Sequence, residues 1–155
     1  MPLLRRAAAA SLYLLLAWTS SALAALEYVD KWGNSGGGSG QSASASSVAI
    51  DGLGYVYVAD TNNHRIQKFG GNGTFLMAWG TQGSGNGQFQ FPRGVAIDAA
   101  GNVLVTDTDN NRVQRFTPDG VYLQQWGGTG MGDGQFLSPR AIAVDGAGFI
   151  FTTED

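Results

Sequence analysis

The chain has 155 residues, 24 of them glycine, about twice the usual share of roughly 7%. Charged residues make up 14% and hydrophobic ones 43%, which excludes charge-swollen disorder, and the glycines follow no three-residue period, which excludes collagen. Cysteine is absent, so disulfides, thiolate metal sites and cysteine nucleophiles are excluded together.

The first 24 residues read as a secretory signal peptide. Arg5 and Arg6 give a charged start, an apolar run covers 7–18 with only Ser11 and Tyr13 interrupting it, and Ala22-Leu23-Ala24 supplies a small-residue cleavage site. The run is short for a membrane span. Cleavage after Ala24 removes two of nine basic residues and no acid, leaving 131 residues with 7 basic and 12 acidic side chains, a net charge of −5. A secreted or periplasmic location follows, and an acidic exported chain is a poor match for nucleic acid, which asks for a basic stripe.

Everything after residue 25 is organised by a 47-residue period. Val48-Ala49-Ile50-Asp51 recurs as Val95-Ala96-Ile97-Asp98 and as Ile142-Ala143-Val144-Asp145. At the same offset Gly54 to Asp60 matches Gly101 to Asp107 and Gly148 to Glu154, and Arg65 to Phe69 matches Arg112 to Phe116. Trp32-Gly33, Trp79-Gly80 and Trp126-Gly127 fall into step. The second unit shows four runs rich in β-branched and aromatic residues: Gly94 to Asp98, Asn102 to Asp107, Arg112 to Phe116 and Val121 to Trp126. Links such as Ala99-Ala100-Gly101 suit antiparallel hairpins. A four-strand meander whose second strand is apolar on both faces reads as a propeller blade stacked between neighbours.

The repeated pattern F-x-x-P-x-G-V-A-I-D, G-N-V-x-V-x-D, N-x-R-V-Q-x-F and a closing W-G resembles the NHL repeat over Tyr28 to Asp155. The resemblance implies an all-β fold, a six-bladed propeller of four-stranded antiparallel blades. With strands lettered a to d from the central channel outward, 28–32 is expected as a lone d strand, 48–80 and 95–127 as complete blades, and 142–155 as a partial one. That makes eleven strands, about two and three-quarter blades, so the chain reads as an N-terminal fragment of a larger ring. The first repeat departs from the pattern, with Ser42, Ala45 and Ser46 where later repeats have Phe89, Pro92 and Arg93 or Phe136, Pro139 and Arg140.

Candidate sites are few. His64 is the single histidine and falls where the next repeat has Asn111, which favours a turn role. One histidine builds no zinc site of the kind used by the similar peptidyl-hydroxyglycine amidating lyases. Asp107-Thr108-Asp109-Asn110-Asn111 has the oxygen spacing of a calcium loop but lacks its glycine and bidentate glutamate. No metal or cofactor is expected. The Asp60/Arg65 and Asp107/Arg112 spacings suggest charge-assisted braces of a hairpin. The stretches 33–40, 80–87 and 127–134 lack a phosphate-loop ending and are expected to be flexible links from strand d to the next strand a. Arg93 and Arg140 each follow a proline and are expected just ahead of strand a, on neighbouring blades at the channel mouth. There they could hold a carboxylate or phosphate or pair with local aspartates, with Ser46 marking the gap in the ring of charge. The leading reading is a non-catalytic scaffold for a protein or small-molecule ligand on the propeller face. The rival is a lyase- or lactone-hydrolase-type propeller enzyme completed by further blades.

Overall fold

The computed structural model describes residues 33–154. The signal segment 1–24 and the lone strand expected at 28–32 lie outside the described residues.

Two four-stranded antiparallel sheets dominate. The first runs β3 (Ala45–Ile50), β4 (Val56–Asp60), β5 (Arg65–Phe69) and β6 (Phe75–Trp79); β1 (Asn34–Ser35) and β2 (Gln41–Ser42) precede it as a short parallel pair. The second runs β7 (Pro92–Ile97), β8 (Val103–Asp107), β9 (Arg112–Phe116) and β10 (Tyr122–Gly127). In both sheets strands follow each other in chain order, so each is a simple meander. β11 (Ile142–Val144) and β12 (Ile150–Thr152) repeat the opening hairpin once more.

The a–b turn is built identically three times. Asp51 accepts hydrogen bonds from the amides of Leu53 and Tyr55 at 2.9 and 3.0 Å. Asp98 accepts from Ala100 and Asn102, and Asp145 from Ala147 and Phe149. The turn closes at Gly54, Gly101 or Gly148 with φ of 84, 83 and 89°, a region that costs glycine alone little. The aspartate–glycine pair thus fixes the register of each hairpin.

The a strands lie side by side: β3 packs against β7, and β7 against β11. Between the two full blades Tyr57, Ala59 and Ile66 of the first meet Phe89, Val95, Val103, Val105 and Phe116 of the second in one buried cluster. Phe116 is its centre, with ring centroids 5.9 Å from Trp79, 5.5 Å from Phe89 and 6.1 Å from Tyr122. Blade-on-blade burial of apolar faces is what holds a repeat array together.

The glycine-rich links are more ordered than the sequence suggests. Gln82 bridges to Phe89 and Thr129 to Phe136 in parallel fashion, as β1 does to β2. In each link a glutamine closes the loop on itself: Gln41 accepts from the amide of Gly38, Gln88 from Gly85, and Gln135 from Gly132. A side-chain acceptor three residues from its donor ties down a loop that the glycine content alone would leave mobile.

Candidate functional site

The b–c turns and the d–a links share one face of the blades. Each b–c turn is a single 3-10 turn, Thr61–Asn63 or Thr108–Asn110, followed by a left-handed residue, His64 or Asn111. Register places Asp60 opposite Arg65 and Asp107 opposite Arg112 at the end of this hairpin. Arg65 Nε donates to Asp60 Oδ2 at 2.7 Å, and Arg112 Nε to Asp107 Oδ2 at 2.7 Å. Both aspartates are fully buried. Burial pushes the Asp107 carboxyl upward, while donors from Gln90, Asn110 and Arg112 pull the other way; the net shift is upward.

The braces also reach the preceding link. Arg65 donates to the carbonyls of Gly38 and Gln41, and Arg112 to those of Gly85 and Gln88. Gln67 and Gln114, buried beside them, donate to Asp60 and Asp107. With four kinds of donor on it, the Asp107 carboxylate has its acceptor capacity consumed by the fold rather than offered to a cation. Among the described residues no three His, Cys, Asp or Glu side chains gather to hold a metal ion.

His64 clamps two blades. Its Nδ1 accepts from the Phe91 amide at 3.1 Å, and its ring lies 4.6 Å from the Phe91 ring. One repeat later Asn111 Oδ1 accepts from the Ser138 amide at 2.8 Å. Ser44, Phe91 and Ser138, one period apart, all take positive φ, 58, 52 and 47°. Such backbone is strained for a non-glycine residue, and at Phe91 and Ser138 the clamp holds it in place. Thr61 and Thr108 add a second tie by donating to the carbonyls of Pro92 and Pro139 at 2.8 Å.

These ties bring Arg93 and Arg140 to one cleft of ≈ 270 Å³, shared with Ser46, Ser47, Gly94, Ala141 and Ile142. Arg93 lies inside strand β7 rather than ahead of it, because Pro92 already pairs with Asp107. The register then slips between Pro92 and Val95, a bulge that re-aims the side chains it contains. Arg140 does precede its strand, β11. The Arg93 carbonyl accepts from Ser46 Oγ at 2.7 Å, and the Arg140 carbonyl from Thr106 Oγ1 at 2.7 Å. Arg93 Nε is buried without a hydrogen-bond partner. Ser47, Ser46, Thr106 and the glutamine closures carry roles that no motif announced; only their recurrence at 47-residue spacing, for the glutamines and Thr61/Thr108, could have flagged them.

Residues 43–69 and 89–116 match the family model of the NHL repeat. A curated relative, the B-box type zinc finger protein ncl-1 of Caenorhabditis elegans, is 50% identical over 48 residues, 31% of this chain and 6% of that protein. Among solved structures, a streptogramin B lyase superposes with a TM-score of 0.53 at 18% identity, over 69% of this chain and 33% of that one. The hydrazine synthase of Kuenenia stuttgartiensis gives 0.55 at 13% identity, over 70% and 29%. The chain thus spans about a third or less of each of these three proteins, and at these identities the structures speak for the fold alone. Residues 43–69 and 89–116 are thus NHL repeats, and the two antiparallel four-stranded meanders that contain them have the fold of β-propeller blades.

Proposed function

We propose that this chain is an exported NHL-repeat propeller segment that serves as a non-catalytic scaffold, taking a protein or small-molecule ligand on the face that carries the b–c turns and d–a links. The blades would belong to a six-bladed ring, and residues 1–24 would direct export to a secreted or periplasmic location and then be removed. The observation that carries the binding reading is the cleft beside Arg93 on that face, where Arg93 Nε is buried without a hydrogen-bond partner. The polar groups around it support a scaffold: the turn carboxylates of Asp60 and Asp107 are bound up in braces, and His64 Nδ1 is bound to a backbone amide. Among the described residues, no helix is long and apolar enough to cross a membrane.

Two measurements test this. Random peptides selected on the immobilised full chain should leave hydrogen-exchange footprints on 80–93 and 127–141; footprints confined to the opposite face would contradict the reading. Mass spectrometry of the exported protein should find a chain that starts at Ala25, and an intact N-terminus on cytoplasmic protein would contradict export.

A further inference from the structure

The third repeat presents half of an arrangement that the first two show whole. In the second blade, antiparallel register sets Arg112 opposite Asp107, Gln114 opposite Val105 and Phe116 opposite Val103. Arg112, Gln114 and Phe116 alternate along β9 and so share one face of it. Arg112 donates to the Asp107 carboxylate and to the carbonyls of Gly85 and Gln88. Gln114 donates to the Gln88 carbonyl and accepts from the Gly87 amide, and Phe116 packs on Phe89. The first blade makes the same polar bonds with Arg65 and Gln67.

One period on, the receiving side is in place. β11 and β12 pair in the register of β7 and β8, with Ile142 opposite Thr152 and Val144 opposite Ile150. Glu154 stands where Asp107 does and accepts from the Leu137 amide, as Asp107 accepts from that of Gln90. The link folds as before, with Gln135 closing on Gly132 and the Gly130 amide donating to the Phe136 carbonyl. The carbonyls of Gly132 and Gln135 thus take the places of those of Gly85 and Gln88. Trp126, Phe136 and Ile150 line a cleft of ≈ 230 Å³, at the seat that Phe116 fills one blade earlier beside Trp79, Phe89 and Val103. Among the described residues no strand pairs with the outer edge of β12, and none supplies the counterpart of Arg112. Glu154 is accordingly exposed, whereas Asp60 and Asp107 are fully buried.

An unpaired edge is a template for a further strand, and the two complete blades specify which strand fits it. Backbone pairing gives such strand addition its affinity, and alternate side chains give it selectivity. We infer that the outer edge of β12 captures an extended segment of another protein, antiparallel, with arginine, glutamine and an aromatic residue at alternate positions. Its arginine pairs with Glu154 and the carbonyls of Gly132 and Gln135, and its glutamine with Gln135 and the Gly134 amide. Its aromatic ring enters the cleft between Trp126 and Phe136. This chain carries the pattern twice, at 65–69 and 112–116, and both copies are already flanked by strands on either side, so a folded second copy has none to lend. The edge cleft shares no residue with the cleft beside Arg93, so either assignment can fail without the other.

The test titrates the full chain with a fluorescein-labelled peptide copying 109–117, read by anisotropy and by amide hydrogen exchange. Binding should saturate with a Kd on the order of 100 micromolar, and the amides of 150–154 should exchange more slowly in the complex. The same residues in reverse order should not bind. Arg112→Met or Phe116→Ala in the peptide should each weaken binding about tenfold, as should Glu154→Gln in the chain, which keeps an acceptor for the Leu137 amide. Arg112→Met and Glu154→Gln combined should weaken it little more than Arg112→Met alone, because both remove the same pair. Equal binding of the reversed peptide, indifference to Arg112→Met or to Glu154→Gln, or protection confined to β3 would each overturn the inference. So would a chain that is dimeric by sedimentation and that the peptide leaves dimeric, since the edge would then belong to a second copy.

Discussion

The two complete blades have nearly the same sequence pattern and very different burial. In the first, Val48 and Ile50 of the a strand are 62% and 65% exposed; in the second, the counterpart Val95 is 4% exposed. The strand type, the turn chemistry and the brace are shared, so the blade's own sequence does not set this difference. What differs is the neighbourhood. The second blade is flanked by β3 on one side and β11 on the other, whereas among the described residues the first has a blade on one side only. The d–a links show the same contrast. Phe89 is fully buried against Phe116 and lies so close to Gly80 that a Cβ there would come within 2.5 Å of its ring. Its counterpart in the first repeat is Ser42, and a cleft of ≈ 360 Å³ lined by Ser42, Ser46, Val48 and Phe69 opens there. Burial in a repeat array is conferred by the next repeat.

The comparison can be broken most severely at its centre. Phe116→Ala should cost about 3–5 kcal/mol, the range for a buried aromatic deletion, because three rings pack on it. Phe69→Ala, at the matching position of the first blade, should cost less, because a cleft of ≈ 360 Å³ opens beside Phe69; urea melts of both variants measure the gap.

Gly94→Ala comes next. A Cβ there would collide with the Arg140 carbonyl oxygen and crowd Thr106 and Ile142, so it should cost about 1–3 kcal/mol by overpacking and loosen β11 specifically. The first blade tolerates Ser47 at the same position, because its hydroxyl accepts the Val95 amide instead. Faster proteolysis at 140–154 in the Gly94→Ala protein would show the loosening.

His64→Asn should be close to neutral, because Asn111 already performs the same clamp, whereas His64→Ala should cost about 0.5–1.5 kcal/mol for the lost acceptor. Thermal melts of the two variants separate a clamp from a bystander.

The smallest effect is expected at Arg115, whose guanidinium pairs with Asp98 in the second blade, while the counterpart Lys68 reaches across to the Pro118 carbonyl and Asp119. Burial alone would raise the Asp98 carboxyl, but the amide and side chain of Asn102 and then Arg115 hold it below its usual range. A carboxyl depressed in the folded state lends stability above its unfolded value of about 4, and that stability is lost as pH falls through the folded value. Arg115→Met should cost about 0.2–1 kcal/mol near neutral pH, as for partly exposed pairs, and the deficit should shrink on acidification below about pH 4.

The braces were legible in the sequence because hairpin register puts residues five apart, Asp60 and Arg65, opposite each other, so spacing alone implied the bond. The blades were legible because the Asp–Gly turn and the β-rich runs repeat without change. The cleft was only half legible. The arginines stood out by charge, but their placement depends on a bulge at Arg93-Gly94 and on hydroxyls from different strands, Ser46 of strand a in one blade and Thr106 of strand b in the next. Neither a bulge nor a substitute donor leaves a spacing signature, because each is decided by what the adjoining blade presents. The order of the glycine links was hidden for a related reason: composition predicts mobility, and one glutamine per link reverses it.

Amide hydrogen exchange on the full chain tests the central claim, that neighbouring blades rather than the blade's own sequence determine how firmly each is held. The account predicts that the amides of β8 and β9 exchange most slowly, through openings clearly costlier than those that expose their counterparts in β4 and β5. Equal protection of the two sets would contradict it.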